Sequence, residues 1–139
     1  MITHQARSEP IGEPVDQHAP GFLRAVLMSA MRLEGIPFGV TDWYAVEPTV
    51  HPGETGTALW RTKQFGEIRV RMVEYTPGYV ADHWCQKGHV LLVLEGELET
   101  VLADGRVFTL KPGMSYQVAD GAEPHMSRTT SGARLFIVD

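Results

Sequence analysis

The sequence predicts an all-β domain, a sandwich or barrel of short strands. From Gly35 onward, about eight or nine short segments rich in β-branched and aromatic residues recur at intervals of roughly 8–12 residues. Glycine, proline and Asp-Gly turn signals separate these segments, and no helical periodicity interrupts them. A chain of 139 residues fits one domain and leaves little room for a second.

The predicted strands follow from the turns between them. Asp104 and Gly105, set between two apolar runs, are the strongest hairpin signal in the sequence. Turns at residues 76–78, 86–88, 95–96, 111–113 and 120–121 divide the remainder, because glycine can adopt the positive φ that such turns require. The strands predicted in this way are residues 57–62, 67–75, 80–85, 89–94, 98–102, 107–110, 114–118 and 134–138.

Residues 1–34 are predicted to form an N-terminal extension, and residues 35–139 the barrel domain. The first twenty residues hold three prolines and polar residues without periodicity, which indicates an unstructured leader, and residues 22–33 fit a short helix. The leader is acidic rather than basic, and Arg24 and Ser29 interrupt the apolar stretch, so it is a poor secretory signal. We therefore expect a cytoplasmic protein. Translation that starts at Met31 or Met28 is an alternative that removes the extension.

Composition argues against several classes of function. Twelve Lys and Arg against seventeen Asp and Glu give a formal charge of −5, which disfavours nucleic acid or an anionic membrane as a partner. A single cysteine excludes an intrachain disulfide. No apolar run approaches the ~18–20 residues that span a bilayer. We expect neither nucleic acid nor membrane among the partners.

Three residues with metal-ligand side chains fall within seven positions: His83, Cys85 and His89. On an extended strand His83 and Cys85 project to the same face, and the turn at Gly88 brings His89 back on the neighbouring strand. His125, after the turn at residues 120–121, is a fourth candidate. Imidazole and thiolate are good ligands for zinc and late first-row transition metals, so the cluster predicts a metal site.

Two other interpretations stay open for these residues. An inward histidine is often a hydrogen-bonded core residue, and a free cysteine is often an inert small hydrophobe. Cys85 could also be a nucleophile activated by a histidine and oriented by Asp82, although Asp82 and His83 point to opposite faces of an extended strand. We expect His4, His18 and His51 to be bystanders, because each lies in the leader or in a Pro/Gly-rich loop.

Residues 78–96 resemble the first sequence motif of the cupin family, with His83, Cys85 and His89 at its ligand positions. Residues 113–129 resemble the second motif, with His125 at its histidine position. The string at residues 82–85, with residues 60–66 and 114–120, is similar to a small bacterial group called DHCW-motif cupin-fold proteins. The sequence departs from the general cupin pattern, since Cys85 replaces a histidine and His89 a glutamate. Ala119 and Thr129 replace a proline and an asparagine.

The resemblance implies a double-stranded β-helix barrel that holds a metal ion through His83, Cys85, His89 and His125. A thiolate makes zinc, iron or nickel the expected ion and disfavours magnesium and calcium. Four ligands on tetrahedral zinc would close the site, whereas an octahedral ion would keep positions open for water, substrate or dioxygen.

Proteins with this barrel fold have many different functions, so the resemblance does not identify the function of this protein. One hypothesis is a metal-binding cupin that binds or transforms a small molecule, as a metal-dependent oxygenase, isomerase or hydrolase if it is an enzyme. The other is a non-catalytic module that senses metal or redox state through Cys85. By family analogy, we also expect a homodimer.

Three further residues are candidates for lining a pocket: Arg71, Glu74 and Tyr116. Arg69 and Arg71 share one face of their strand and Glu74 lies on the other, so one set faces inward. For the arginines we favour a solvated outer face. Tyr116 offers a polar tip to a cavity, and core packing explains it equally well. Trp84 lies between two ligand positions, so its parity predicts a packing role away from the metal.

Overall fold

The computed structural model describes residues 33–139, which form nine strands in two antiparallel sheets. The larger sheet has the order β1-β2-β3-β9-β4-β7, and the smaller has the order β6-β5-β8. A single turn of 3-10 helix, Trp43–Ala45, precedes them, with the Asp42 carboxylate as its N-cap. The strands are β1 Thr49–Pro52, β2 Thr57–Phe65, β3 Ile68–Tyr75, β4 His89–Gly96, β5 Leu98–Leu102, β6 Val107–Leu110, β7 Ser115–Val118, β8 His125–Arg128 and β9 Ala133–Val138.

The hydrophobic core lies between the two sheets. Alternate residues of β3, β4 and β9 point to it, as the period of two along a strand requires. Leu98 from β5 and Leu110 from β6 close it from the smaller sheet. The buried apolar residues are Ala58, Val73, Tyr79, Ala81, Leu91, Val93, Leu98, Leu110, Ala133, Leu135 and Ile137.

The register of the larger sheet aligns one row of inward-facing residues across four strands. Arg71 of β3 is paired with Ile137 of β9, Ile137 with Leu91 of β4, and Leu91 with Tyr116 of β7. Two residues further along β3 and β9, Arg69 pairs with Asp139 through two backbone hydrogen bonds. The sheet therefore presents charged and polar side chains beside the apolar core.

The prediction of an all-β barrel is confirmed, and most strands lie where the turn signals placed them. β5 and β6 have the predicted bounds, on either side of the Asp104 and Gly105 turn. β1 and β8 are additional strands. Residues 80–85 are not the predicted strand: only Val80 and Cys85 form bridges, and the chain bends between them.

The N-terminal prediction falls almost wholly outside the described residues. The leader, most of the short helix at residues 22–33, and the histidines at positions 4 and 18 lie there, so these interpretations stay predictions. Within residues 33–139, no helix is long and apolar enough to cross a membrane.

Candidate metal centre

Cys85 and His125 are held side by side by the backbone. The two residues form an isolated antiparallel bridge, in which each backbone N–H donates to the other's carbonyl at 2.8 and 3.0 Å. His125 begins β8, so the cysteine after the bend at residues 82–83 is fixed against the smaller sheet. The relative position of the thiol and this imidazole is therefore set by main-chain geometry.

His89 arrives from the other sheet, as the first residue of β4. It is paired with Val118 of β7, and the preceding Gly88 donates its N–H to the Asp120 carboxylate at 2.6 Å. A Cβ on Gly88 would lie 2.5 Å from the backbone nitrogen of Asp120 and 2.9 Å from the carbonyl oxygen of Val118. Only glycine fits this close approach, which brings the start of β4 against the turn after β7.

The side chains of Cys85, His89 and His125 converge. Their ligand atoms all lie within 4.8 Å of one another, and the two imidazole Nε2 atoms are 3.1 Å apart. His125 is 3% exposed and the His89 side chain 6%, whereas Cys85 is only partly buried. The structure thus brings together three of the four predicted ligands in a mostly buried cluster.

A backbone hydrogen bond orients His125 as a ligand, and a carboxylate lies near the ring of His89. His125 Nδ1 donates to the carbonyl of Glu123 at 2.8 Å, so the neutral ring presents its Nε2 lone pair to the cluster. Burial is the main cause that lowers the pKa of His125, which favours this neutral form. His89 Nδ1 lies 3.8 Å from a carboxylate oxygen of Asp139 and has no hydrogen-bond partner among the described residues. A hydrogen bond from the outer ring nitrogen, as His125 makes, is typical of metal-binding histidines, and Asp139 is the nearest such acceptor for His89.

The spacing of the donor atoms fits one ion. Two imidazole nitrogens at about 2.0–2.1 Å from a zinc ion, in tetrahedral geometry, lie roughly 3.3 Å from each other. The 3.1 Å between the Nε2 atoms of His89 and His125 is close to that separation. A thiolate bond is longer, about 2.3 Å, and the Cys85 thiol lies within 4.8 Å of the ligand atoms of both histidines.

His83 lies at the rim of the site rather than in the cluster. Its side chain is 70% exposed, and Nδ1 lies 2.6 Å from the Asp82 carboxylate. Strand parity predicted His83 and Cys85 on one face, but the bend at residues 82–83 removes the extended geometry on which parity depends. The hydrogen bond with His83 is the main cause that lowers the pKa of Asp82. Whether His83 is a ligand stays a prediction.

Asp139 joins the cluster to two arginines. Its fully buried carboxylate accepts two hydrogen bonds from Arg69, at 2.7 and 2.9 Å, and one from Arg71 at 2.8 Å. Burial on its own raises the pKa of Asp139, but the hydrogen bonds and the arginine charges outweigh it and hold the pKa well below its usual range. The carboxylate is therefore ionised, and its Oδ2 faces both Arg71 and His89.

A cavity of about 320 Å³ opens in front of the cluster. Arg71, Tyr116, Trp60 and the stacked pair Tyr75 and Tyr79 contribute to its wall. The Tyr116 hydroxyl lies 2.9 Å from His89 Nε2, and burial raises the pKa of this tyrosine well above its usual value. The complete lining is Trp60, Arg69, Arg71, Tyr75, Tyr79, Ala81, His83, Cys85, Lys87, His89, Leu91, Tyr116, His125, Ser127 and Ile137.

The structure decides which face of β3 lines this cavity. Arg71 is 6% exposed and lies inside, so the expectation of a solvated outer face for the arginines was wrong. Asp139, almost seventy residues away, is the partner that makes its burial possible. Glu74 lies on the opposite face, 3.2 Å from Arg134, in a separate cavity of about 410 Å³.

Sequence reasoning missed two groups of the site. Nothing in the sequence around Asp139 marked it as a partner for β3, since the pairing depends on the position of β9. Trp60 packs against Arg71, with the guanidinium carbon 4.4 Å from the ring centroid, and its other face stacks on His51 at 3.8 Å. The alternation of Trp60 with Ala58 along β2 was the available signal for an inward tryptophan.

Comparison with solved structures identifies the fold. Ectoine synthase from P. lautus superposes with a TM-score of 0.60 over 73% of this chain and 76% of that chain, at 20% identity. The polyketide cyclase RemF from Streptomyces resistomycificus also gives 0.60, over 73% and 78%, at 24% identity. An RmlC-like cupin from Shewanella frigidimarina gives 0.57 over 74% and 90%, at 20% identity. The sequence matches no family model and no curated protein. The chain has the cupin fold, as the two motifs predicted, while its likeness to the DHCW-motif group stays a prediction.

Proposed function

We propose that this protein is a small metal-binding cupin in which Cys85, His89 and His125 hold one divalent transition-metal ion, and the adjoining cavity takes a small molecule. One observation carries the proposal: the Nε2 atoms of two buried imidazoles lie 3.1 Å apart, within 4.8 Å of the only cysteine. Two uncharged imidazoles and a thiolate would leave a net charge of about +1 on a divalent ion. The thiolate favours zinc, iron or nickel.

Three protein ligands would leave at least one coordination position open toward the cavity. Sites of this kind, with three side chains and one exchangeable position, are typical of metal centres that bind a ligand. A bound ion would supply Lewis acidity or an activated water. The chain itself contributes orientation, since Glu123 fixes the tautomer of His125 and Asp139 lies behind His89.

Metal analysis of the protein purified without oxygen tests the site. We expect about one metal ion per chain in the wild type, and less than about a tenth of that after Cys85→Ser and His125→Ala are combined. His51→Ala is the matched control, because His51 packs on the far face of Trp60, away from the cluster. Wild-type metal content in the double variant would overturn the assignment.

His83 is tested separately, because its role decides how many positions are open. If three residues hold the ion, His83→Ala keeps the wild-type metal affinity. A loss of about tenfold or more would instead make His83 the fourth ligand, after rotation away from Asp82. The affinity is measured by competition against a chromophoric chelator.

A second candidate function is a sensor of metal or redox state. Cys85 is partly exposed at the cavity, which gives an oxidant access to a ligand thiolate. In that case mild peroxide releases the metal and a thiol reductant restores binding, while small molecules do not bind. Metal that stays bound after peroxide treatment would argue against this function.

We also propose a homodimer and a cytoplasmic location. Val90 and Leu94 of β4 are exposed apolar side chains on the outer face of the larger sheet, and such residues support pairing of two chains. Light scattering coupled to size exclusion measures the mass, which should be twice the 15.4 kDa of one chain.

A further inference from the structure

The cavity in front of the cluster carries positive charge within an acidic protein. Three cationic side chains, Arg69, Arg71 and Lys87, contribute to its wall, and no Asp or Glu is among the described residues that line it. Asp139 lies behind the wall and is the acidic partner of the two arginines. The chain as a whole has a formal charge of −5, so the excess of positive charge is local to this cavity.

The two arginines share Asp139 unequally. Arg69 binds it with two donors, Nε and Nη2, and is about one third exposed, so its charge is both paired and partly hydrated. Arg71 donates only through Nη2, is 6% exposed, and has an Nε–H without a partner among the described residues. Burial is the main cause that lowers the pKa of Arg71, which reflects a positive charge that one shared carboxylate does not fully compensate.

Arg71 lines the cavity beside the candidate metal ligands. Trp60 covers one face of the guanidinium at 4.4 Å and fixes its plane. Asp139 Oδ2 contacts Arg71 Nη2 at 2.8 Å and lies 3.8 Å from His89 Nδ1, so the guanidinium and the candidate ligands share one wall of one cavity. An anion on Arg71 would therefore extend toward the cluster.

We propose that this cavity binds a small carboxylate, with its carboxyl group on Arg71 and the remainder directed toward Cys85, His89 and His125. The planar donors of a fixed guanidinium match a carboxylate. The volume of about 320 Å³ lies at the small end for ligand sites, and Leu91, Ile137 and the two stacked tyrosines give it apolar walls. The inference deepens the proposed function, and rests on it only for the metal that the ligand would approach.

Benzoate and its neutral analogue benzamide are the probes. Zinc-loaded and metal-free protein are titrated with each while the Nε–Hε resonances of the arginine side chains are followed by NMR. We expect benzoate to bind at least about tenfold more tightly than benzamide, and to shift the Arg71 resonance. Arg71→Gln should remove the preference. Arg61→Gln is the matched control, because Arg61 also has an Nε without a partner in the described part of the chain but lines the cavity on the other face of the sheet.

Each outcome decides the inference. Equal affinity for benzoate and benzamide in the wild type, or an undiminished preference in Arg71→Gln, would overturn it, as would tighter binding of inorganic phosphate than of benzoate. If Arg71→Gln does not fold, the comparison in the wild type and in Arg71→Lys, which keeps the charge without the planar fork, decides instead. Zinc content is measured on the same samples, so a protein that takes up no zinc refutes the proposed function while the benzoate preference still tests the carboxylate site.

Discussion

Asp139→Asn offers the sharpest test of how the site is held together. The substitution preserves the shape of the side chain, removes its negative charge, and places an amide NH₂ where an oxygen now accepts hydrogen bonds. Three arginine donors between 2.7 and 2.9 Å lose their charged acceptor, and the side chain is fully buried. Removing one partner of a buried ion pair costs about 3–5 kcal/mol. Because Arg69 is 31% exposed and can be partly rehydrated, we expect the lower end, ~3 kcal/mol.

Urea unfolding of the metal-free protein, followed by far-UV circular dichroism, measures this loss. A chelator is present in every sample, since any bound metal would add its own stabilisation. Asp104→Asn is the matched control, because Asp104 pairs with Arg106 in an ion pair in which both side chains are about half exposed. That variant should lose clearly less stability than Asp139→Asn, because solvent screens an exposed ion pair. Equal losses in the two variants would refute the reasoning that burial makes the Asp139 cluster important.

A double-mutant cycle with Arg71→Gln refines the same test. Removing both Asp139 and Arg71 side-chain charges leaves Arg69 alone, and Arg69 has access to water. The combined loss should therefore be smaller than the sum of the two single losses. A strictly additive result would show that Asp139 and Arg71 act independently.

Three further outcomes follow from the packing and the ligand set. Gly88→Ala should weaken metal affinity by about tenfold or more, because the added Cβ would displace the start of β4. Gly39→Ala is the control, since a Cβ there would meet no described atom within 4 Å, and its metal affinity should stay unchanged. Competition with a chelator measures both affinities. Leu91→Ala, at a position 1% exposed, should cost about 2–5 kcal/mol in urea unfolding, and the half-exposed Leu94→Ala clearly less. Zinc at about a thousand times its Kd should stabilise the wild type by ~4 kcal/mol and leave Cys85→Ser unchanged, as measured by thermal unfolding.

Local signals predicted most of the strands and missed the two, β1 and β8, whose sequences lack a clear strand pattern. β5 and β6 are joined by the Asp104 and Gly105 turn, so their pairing is visible in the sequence. β8, with the sequence His-Met-Ser-Arg, has no alternation of apolar and polar residues, and pairs with β5 more than twenty residues earlier. β1 is a short edge strand that ends in proline, a residue that sequence patterns assign to turns.

Local patterns likewise identified only part of the site. Residue type and spacing singled out Cys85, His89 and His125, and the structure brings these three together. His83 was assigned by parity, which fails where the chain bends. Arg71 was a candidate for the pocket, but a solvated face was favoured because most charged residues are solvated. The distant carboxylate of Asp139 is what allows its burial.

The placement of β9 between β3 and β4 makes the complete site depend on a contact between distant parts of the sequence. Arg69 and Asp139 are separated by 70 positions in the sequence, and the two backbone hydrogen bonds between them join the ends of that interval. Closing so long an interval costs chain entropy before its contacts stabilise the fold. A partly folded or partly synthesised chain would contain His89 without the arginine-bound carboxylate behind it. For the proposed metal site, this means that the complete site would exist only after the larger sheet has closed.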